Sequence, residues 1–350
     1  MSTPTSDKLV AAIQKILASP EATQVLIDQM KDHADLHVMR GMSHMIVSNP
    51  ERREAARIAI ILDTETTGLD SEVDKVIQLS MLKVLYDDEG IVEITDDFFD
   101  QFQDPGAPLD PKITKLTGIT DEMLKGQKIN ETEAADFLVD ADLVIAHNAA
   151  FDRKFVEKGF PELNFDKIDW ACSIRDVDWE NRVTGSAKLE LLVLNQGYVY
   201  PAHNAKADCT ATAFTLSRTY DGDTPVMMDI VGARARRTVM IMATGLPFGS
   251  QEPLKSAGWK WSPDRNGEAG DKCWHITIST PEEAQKAAAA AKEAFGGDVS
   301  LPVRRFSRKT VYSNRLPPVE RGIFQTKDPL KAISAEDVIT NDNDQPSFGF

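Results

Sequence analysis

The stretch Ile58-Ala59-Ile60-Ile61-Leu62-Asp63-Thr64-Glu65-Thr66-Thr67-Gly68-Leu69 constrains this chain of 350 residues more than any other. Five apolar, mostly β-branched residues run directly into two carboxylates, and a glycine follows. An unbroken apolar run of that length reads as a strand buried on both faces, as in the middle of an α/β sheet. Side chains two apart along a strand share a face, so Asp63 and Glu65 point the same way from its exit. Two like charges that close raise the free energy unless a cation lies between them, and hard divalent cations prefer carboxylate oxygen. A solvated acidic strand end is the competing reading of the pair.

Two further strands follow. Val76 to Tyr86 and Ile91 to Phe102 flank the turn Asp87-Asp88-Glu89-Gly90, which predicts an antiparallel meander. The rhythm then becomes helical: Pro111 to Ile119 reads as a short helix stopped by Gly118, Thr120 as the cap of a second, and Asn130 to Val139 as a third. Asp142 to Ala146 is again a short buried strand. It leads through His147-Asn148 into an amphipathic helix, which places Asp152 in the first turns, beside the sheet edge that carries Asp63 and Glu65. Near position 200 lies Ala202-His203-Asn204-Ala205-Lys206-Ala207-Asp208-Cys209. Five residues of helix rotate the chain so that His203 and Asp208 would stand about 140° apart around the axis. The better reading puts His203 on the loop before the helix and Asp208 on the inner face of the helix.

Together these blocks carry a resemblance. Asp63-x-Glu65-Thr-Thr-Gly, Leu116-Thr-Gly-Ile-Thr-Asp-Glu-Met, His147-Asn-x-x-Phe-Asp152 and His203-x-Ala-x-x-Asp208, in that order, closely resemble the exonuclease domain of the DnaQ-like DEDDh 3′→5′ exonuclease family. The likeness covers roughly residues 57 to 220. It implies an RNase H-like α/β fold with a mixed five-stranded central sheet flanked by helices, and two divalent cations, Mg²⁺ or Mn²⁺. On this likeness Asp63, Glu65, Asp152 and Asp208 are the metal ligands and His203 is the general base. Thr66, Thr67 and Leu69 face the terminal nucleotide, with Leu69 a wedge against the base, and Asn148 and Phe151 line the same pocket, although Phe151 reads equally well as core. The expected activity is release of nucleoside monophosphates from DNA 3′ ends by two-metal phosphodiester hydrolysis, in DNA replication or repair. An exoribonuclease or oligoribonuclease with the same chemistry, or a non-catalytic nucleic-acid-binding relative, are the alternatives, because nothing in these motifs reads a 2′-hydroxyl.

Outside residues 57–222 the sequence is less specific. Residues 1–56 keep a three-to-four apolar spacing and read as a helical N-terminal extension; its His33, His37 and His44 lack a completing ligand set. Thr224 to Met228 looks like a boundary. Residues 232–298 read as a small α+β accessory domain: a strand at Arg237 to Ala243, a short helix before Gly258, strands around Trp259-Lys260-Trp261 and Cys273 to Ile278, and an alanine-rich helix from Pro281 to Phe295. It is similar to a module appended to some DnaQ-like exonucleases. Residues 299–350 read as a basic linker, Arg304-Arg305-Phe306-Ser307-Arg308-Lys309, followed by an acidic disordered tail.

Charge supports the division. The net −16 is uneven, with −18 between Arg57 and Val231 against +7 between Gly232 and Lys327, so a nucleic-acid grip by the basic run is expected despite the acidic whole. Core filling is the competing reading of Trp259, Trp261 and Trp274. The ending Asn341 to Phe350 resembles the acidic, Phe-ended tails through which single-strand-binding proteins recruit partners, weighed against a solvated tail; it implies a replication or single-strand-binding partner. The three cysteines lie far apart without a C-x-x-C pair, which argues against a disulfide framework or zinc cluster and predicts reduced, partly buried thiols. No apolar run nears the roughly 20 residues that span a bilayer, and residues 1–7 lack a signal's basic and apolar regions, so a cytoplasmic location away from membranes is expected.

Overall fold

The apolar run becomes the middle strand of a sheet. The computed structural model describes residues 39–42, 47–183, 185–220, 224–236, 238–263 and 272–333, with scattered positions from 19 to 28. Its first part comprises β1 (Arg40–Gly41), β2 (Arg57–Thr66), β3 (Val76–Asp87), β4 (Gly90–Phe102), α1 (Pro111–Thr117), α2 (Asp121–Leu124), α3 (Glu131–Leu138), β5 (Leu143–Ala146), α4 (Ala149–Gly159), β6 (Asp169–Cys172), α5 (Leu189–Asn195), β7 (Tyr198–Val199), α6 (Ala205–Ser217) and α7 (Met227–Arg234). The main sheet runs β4-β3-β2-β5-β6. β3 pairs antiparallel with β2 and β4, whereas β5 pairs parallel with β2 and β6, so the sheet is mixed and RNase H-like.

Strand alternation sets the two layers. Ile60 and Leu62 of β2 pack with Phe155 and Val156 of α4, while Ala59 and Ile61 pack with Cys209, Ala213 and Leu216 of α6. The four are essentially without solvent contact, which accounts for an unbroken apolar run where a one-sided strand would alternate. The helix ends follow their caps: Gly118 closes α1 in the left-handed region, Thr120 caps α2, and Asn204 caps α6 by accepting the Ala207 N–H.

The second part is a separate antiparallel sheet, built from β8 (Thr238–Ala243), β9 (Lys260–Ser262), β10 (Cys273–Ile278), β11 (Ser300–Phe306) and β12 (Glu320–Gln325), in the order β12-β11-β8-β10-β9. Helices α8 (Glu252–Ser256) and α9 (Pro281–Phe295) cover one face. Alanines let α9 lie close to Val239, Ile241 and Val303, and a capping box between Thr280 and Glu283 fixes its start. Trp259 is buried in this core, Trp274 is half-buried, and Trp261 is exposed beside Trp274 at a ring distance of 5.7 Å.

Three expectations change. Arg40–Gly41, expected in a helical stretch, instead pair in parallel with β7, because that short strand leaves carbonyls open to the Arg40 and Met42 N–H groups. Thr224 to Met228 is no boundary: Val226, Met227 and Ile230 are fully buried against the main sheet, and Arg234 closes α7 with ion pairs to Asp142 and Asp169. Residues 300–325 are two strands of the second sheet rather than a linker, because Leu301, Val303 and Phe324 supply apolar side chains its core needs. The arginines of the basic run are engaged within the protein: Arg308 pairs with Asp176 at 2.9 Å, Arg305 with Glu320, and Arg304 donates to the Pro317 carbonyl. Most of the expected N-terminal helical extension, with His33, His37 and His44, and the acidic tail lie outside the described residues. The cysteines are free and buried. No helix among the described residues is long and apolar enough to cross a membrane.

The loop after β11 docks on the main domain. The Arg153 guanidinium, fully buried in α4, donates to the carbonyls of Lys309 (2.5 Å) and Val311 (2.6 Å) and to Glu157 (2.8 Å), and lies 5.0 Å from the Trp170 ring. Backbone and side chains add to it, with Trp170 N–H donating to the Arg308 carbonyl and Ser313 and Arg315 donating to Glu157.

Candidate active site

The exit of β2 and the starts of α4 and α6 meet at one edge of the main sheet. Carboxylate oxygens of Asp63, Glu65 and Asp208 all lie within 4.8 Å of one another. β2 delivers the first two from one face, and α6, packed on that same face, delivers the third. Asp152 arrives from the opposite layer on α4, where its Oδ1 accepts the Thr64 N–H (3.1 Å) and hydroxyl (2.9 Å).

Crowding like charges at a poorly hydrated edge favours the protonated forms. Burial, then Asp152, Asp208 and Glu65, hold the Asp63 carboxyl well above its ordinary range. Glu65 is pushed up to about 8 by burial, with Asp208 and Asp152 adding to it. Burial likewise lifts Asp152 to about 7, against the opposing Thr64 hydrogen bonds. Asp208 also rises through burial, opposed by the Tyr200 hydroxyl that donates to it at 2.7 Å and by the Asn204 N–H at 3.1 Å. This donor set fits hard divalent cations: oxygen ligands only, closely convergent, and costly to ionise together without positive charge.

His203 sits on the loop before α6, with φ 62°, a left-handed value unusual for a residue bearing a side chain. Its ring is half exposed, and its Nε2 lies 3.7 Å from Glu190 of α5. The loop after β2 accounts for the remaining nucleotide-facing candidates. The Thr66 hydroxyl donates to the Gly68 carbonyl at 2.6 Å, and the Thr67 hydroxyl donates to Asp74 at 3.0 Å, so both shape the turn. A Cβ at Gly68 would come within 2.4 Å of the Asp74 carboxylate, which the Thr67 hydroxyl and the Asp70 N–H engage. Leu69, at the tip, is 87% exposed. Asn148 is exposed at the start of α4, whereas Phe151 is half-buried, 4.7 Å from the Phe155 ring and against the core.

Sequence reasoning did not single out Thr64, Tyr200 or Glu190. Thr64 carried a usable signal, lying between the two acidic residues on the strand and therefore facing the other layer. Tyr200 had none, since only the β7 turn brings it onto Asp208. His147, quoted in a motif but given no role, is bonded to Ser173 (2.7 Å) and the Ala187 carbonyl (3.0 Å), and burial lowers it to about 4. It is a neutral structural residue that fixes the chain after β5. Tyr200→Phe removes one hydrogen bond from Asp208 and leaves the ring; a roughly tenfold or greater weakening of divalent-cation affinity, with an unchanged melting temperature in the cation-free protein, is expected by calorimetry.

A mixed sheet with flanking helices, and with acidic residues converging at its edge, is an RNase H-like arrangement. Residues 60–216 match the model of the Exonuclease family of the RNase T type, and Asp63, Glu65, Asp152, His203 and Asp208 all lie within the matched segment. A DNA polymerase III PolC-type protein from Halalkalibacterium halodurans is 45% identical over 109 residues, 30% of this chain and 7% of the relative; a Pediococcus pentosaceus counterpart is 38% identical over 112 residues, 31% and 7%. The chain thus spans 7% of the length of these curated relatives. Among solved structures, exonuclease X in complex with 5′-overhanging duplex DNA has a TM-score of 0.34 at 19% identity, covering 49% of this chain and 99% of that one. The nuclease domain of 3′hExo, a DEDDh family member bound to rAMP, has a TM-score of 0.36 at 19% identity, covering 45% and 89%.

Proposed function

We propose that this protein is a 3′→5′ exonuclease that removes nucleoside 5′-monophosphates from DNA 3′ ends in replication or repair. The observation carrying this reading is the convergence of Asp63, Glu65 and Asp208 within 4.8 Å, with His203 on the adjoining loop. Those three carboxylates, with Asp152 beside Asp63, would hold two divalent cations, Mg²⁺ or Mn²⁺, which supply neutralisation of the phosphate charge and a more acidic attacking water. His203 would accept a proton from the attacking water as its oxygen bonds to phosphorus, and the P–O bond to the upstream 3′-oxygen would break, that oxygen taking up a proton from solvent. Glu190 lies 3.7 Å from the His203 Nε2. Tyr200 and Thr64 hold Asp208 and Asp152 in place, and Leu69 stands ready to press on the terminal base. Similarity to PolC-type DNA polymerases supports DNA over RNA. The intact acidic set speaks against a non-catalytic relative.

The test uses 5′-labelled single-stranded DNA and RNA with Mg²⁺ or Mn²⁺. The expected result is a ladder shortening from the 3′ end on DNA, with His203→Ala slower by about 10²–10⁴-fold. Immediate release of the label as a mononucleotide, or full activity in His203→Ala, would sink the reading, and a ladder on RNA alone would move it to the exoribonuclease alternative.

A further inference from the structure

A cavity of about 930 Å³ opens between the two parts of the chain. Its walls are the loop from Asp70 to Glu72, the first turns of α4, the docked loop around Tyr312, and the face of the second sheet that α8 and α9 leave uncovered. It therefore starts on the same loop as Leu69 and the same helix turn as Asn148 and Phe151. Four side chains give it a chemical character: Lys154 and Arg175 from the main domain, Phe306 from β11, and Tyr312. Neither Lys154 nor Arg175 has an ion-pair partner among the described residues, while two of the lining acids are neutralised, Asp176 by Arg308 and Glu72 by Lys158. The third, Asp70, accepts the Glu72 N–H within its own turn. Phe306 is a half-buried ring beside Met240 and Met242, and Tyr312 lies 5.9 Å from the Arg175 guanidinium with its backbone at φ 68°. Strained backbone of this kind persists where the surroundings impose it, and it gathers at functional sites. Uncompensated cations among aromatic faces suit a single strand, whose phosphates take the charges and whose bases stack on the rings.

We propose that this cavity receives the nucleotides 5′ of the scissile phosphate, so that the second sheet extends the substrate path instead of standing apart as a tether. At about 930 Å³ it lies at the upper end of the roughly 300–1,000 Å³ range of ligand pockets, roomy enough for more than one nucleotide. The proposal rests on the nucleic-acid reading of the active site. It replaces the basic run by Lys154 and Arg175 as the phosphate contacts.

The experiment uses the full chain, comparing wild type with Lys154→Gln/Arg175→Gln and with Phe306→Leu, which keeps an apolar side chain in place. Binding of fluorescein-labelled dT12 is followed by anisotropy across a salt series in EDTA, and turnover of dT2 and dT12 is measured with Mg²⁺. Both variants should turn over dT2 within about twofold of wild type and bind dT12 about tenfold more weakly. The double variant should also flatten the slope of log K against log salt by about 1.4, as expected for two lost single-strand phosphate contacts. Unchanged dT12 affinity and slope would overturn the proposal, as would equal losses on dT2 and dT12, which would mark a fault in the active site or fold. Absence of turnover in wild type, with dT12 binding still dependent on these side chains, would remove the exonuclease reading and support the cavity.

Discussion

Asp63→Asn should reduce nucleotide release by about 10³-fold or more, equivalent to roughly 4 kcal/mol of lost transition-state stabilisation, while making the cation-free protein more stable. Both effects come from one geometry. Asp63 is the carboxylate that Asp152, Asp208 and Glu65 all press upon, so converting it to a neutral amide removes repulsion along with a proposed cation ligand. The pH dependence separates the two. Glu65 and Asp152 have folded-state values raised to about 8 and about 7, above those of the unfolded chain. A raised group contributes stability that is full below its unfolded value and is lost as pH rises through the folded one. Cation-free wild type should therefore lose stability between about pH 4 and pH 8, and the variant should lose less, giving it a melting temperature on the order of 5 °C higher at pH 8. His147 acts in the opposite direction, since its lowered value removes stability as pH falls from 6.5 toward 4, but it does so equally in both proteins. Scanning calorimetry in EDTA at pH 5 and pH 8 provides the comparison. A variant no more stable than wild type at pH 8 would contradict the account of the site as a repulsive carboxylate cluster.

Arg153→Met is expected to produce the largest loss of stability, about 3–5 kcal/mol, because it removes a fully buried cation and the donors to two buried-loop carbonyls, leaving Glu157 to Ser313 and Arg315 alone. Methionine keeps much of the stem packed beside Trp170, but Glu157 loses one partner and the carbonyls of Lys309 and Val311 lose their donor. A fall in melting temperature on the order of 10 °C should be accompanied by protease cleavage between residues 307 and 315, which wild type resists. A variant that melts within 2 °C of wild type would show that the loop is held by its other contacts.

The legibility of this fold tracks how local its causes are. The β2 run, the turn at Asp87-Asp88-Glu89-Gly90, the Gly118 stop and the Thr120 cap act within a few residues, and strands and helices appear where they predict. The positions of the acidic residues and of His203 were legible for a similar reason. Asp63 and Glu65 stand at the exit of a strand, Asp152 and Asp208 in the first turns of helices packed on the sheet, and placing His203 on a loop followed from rotation around a helix. What escaped depends on partners far along the chain. Val226 to Ile230 has no periodicity to distinguish a connecting helix from a core helix, and only the apolar face of the main sheet decides its place. The arginines from 304 to 308 look like a surface grip because their partners, Asp176, Pro317 and Glu320, belong to segments that the fold brings near. Net charge, summed without such pairing, overstated what that run offers to a phosphate.

Neighbours on α4 face opposite duties. Asp152 leans toward the cluster of acids, and Arg153, one position on, is the socket into which the loop from the far sheet is plugged. A chain cut before that loop would leave a guanidinium stranded inside a dry interior at the residue next to Asp152. The two halves are therefore not interchangeable parts joined by a hinge: the main domain has delegated the upkeep of one of its own helices to its appendage.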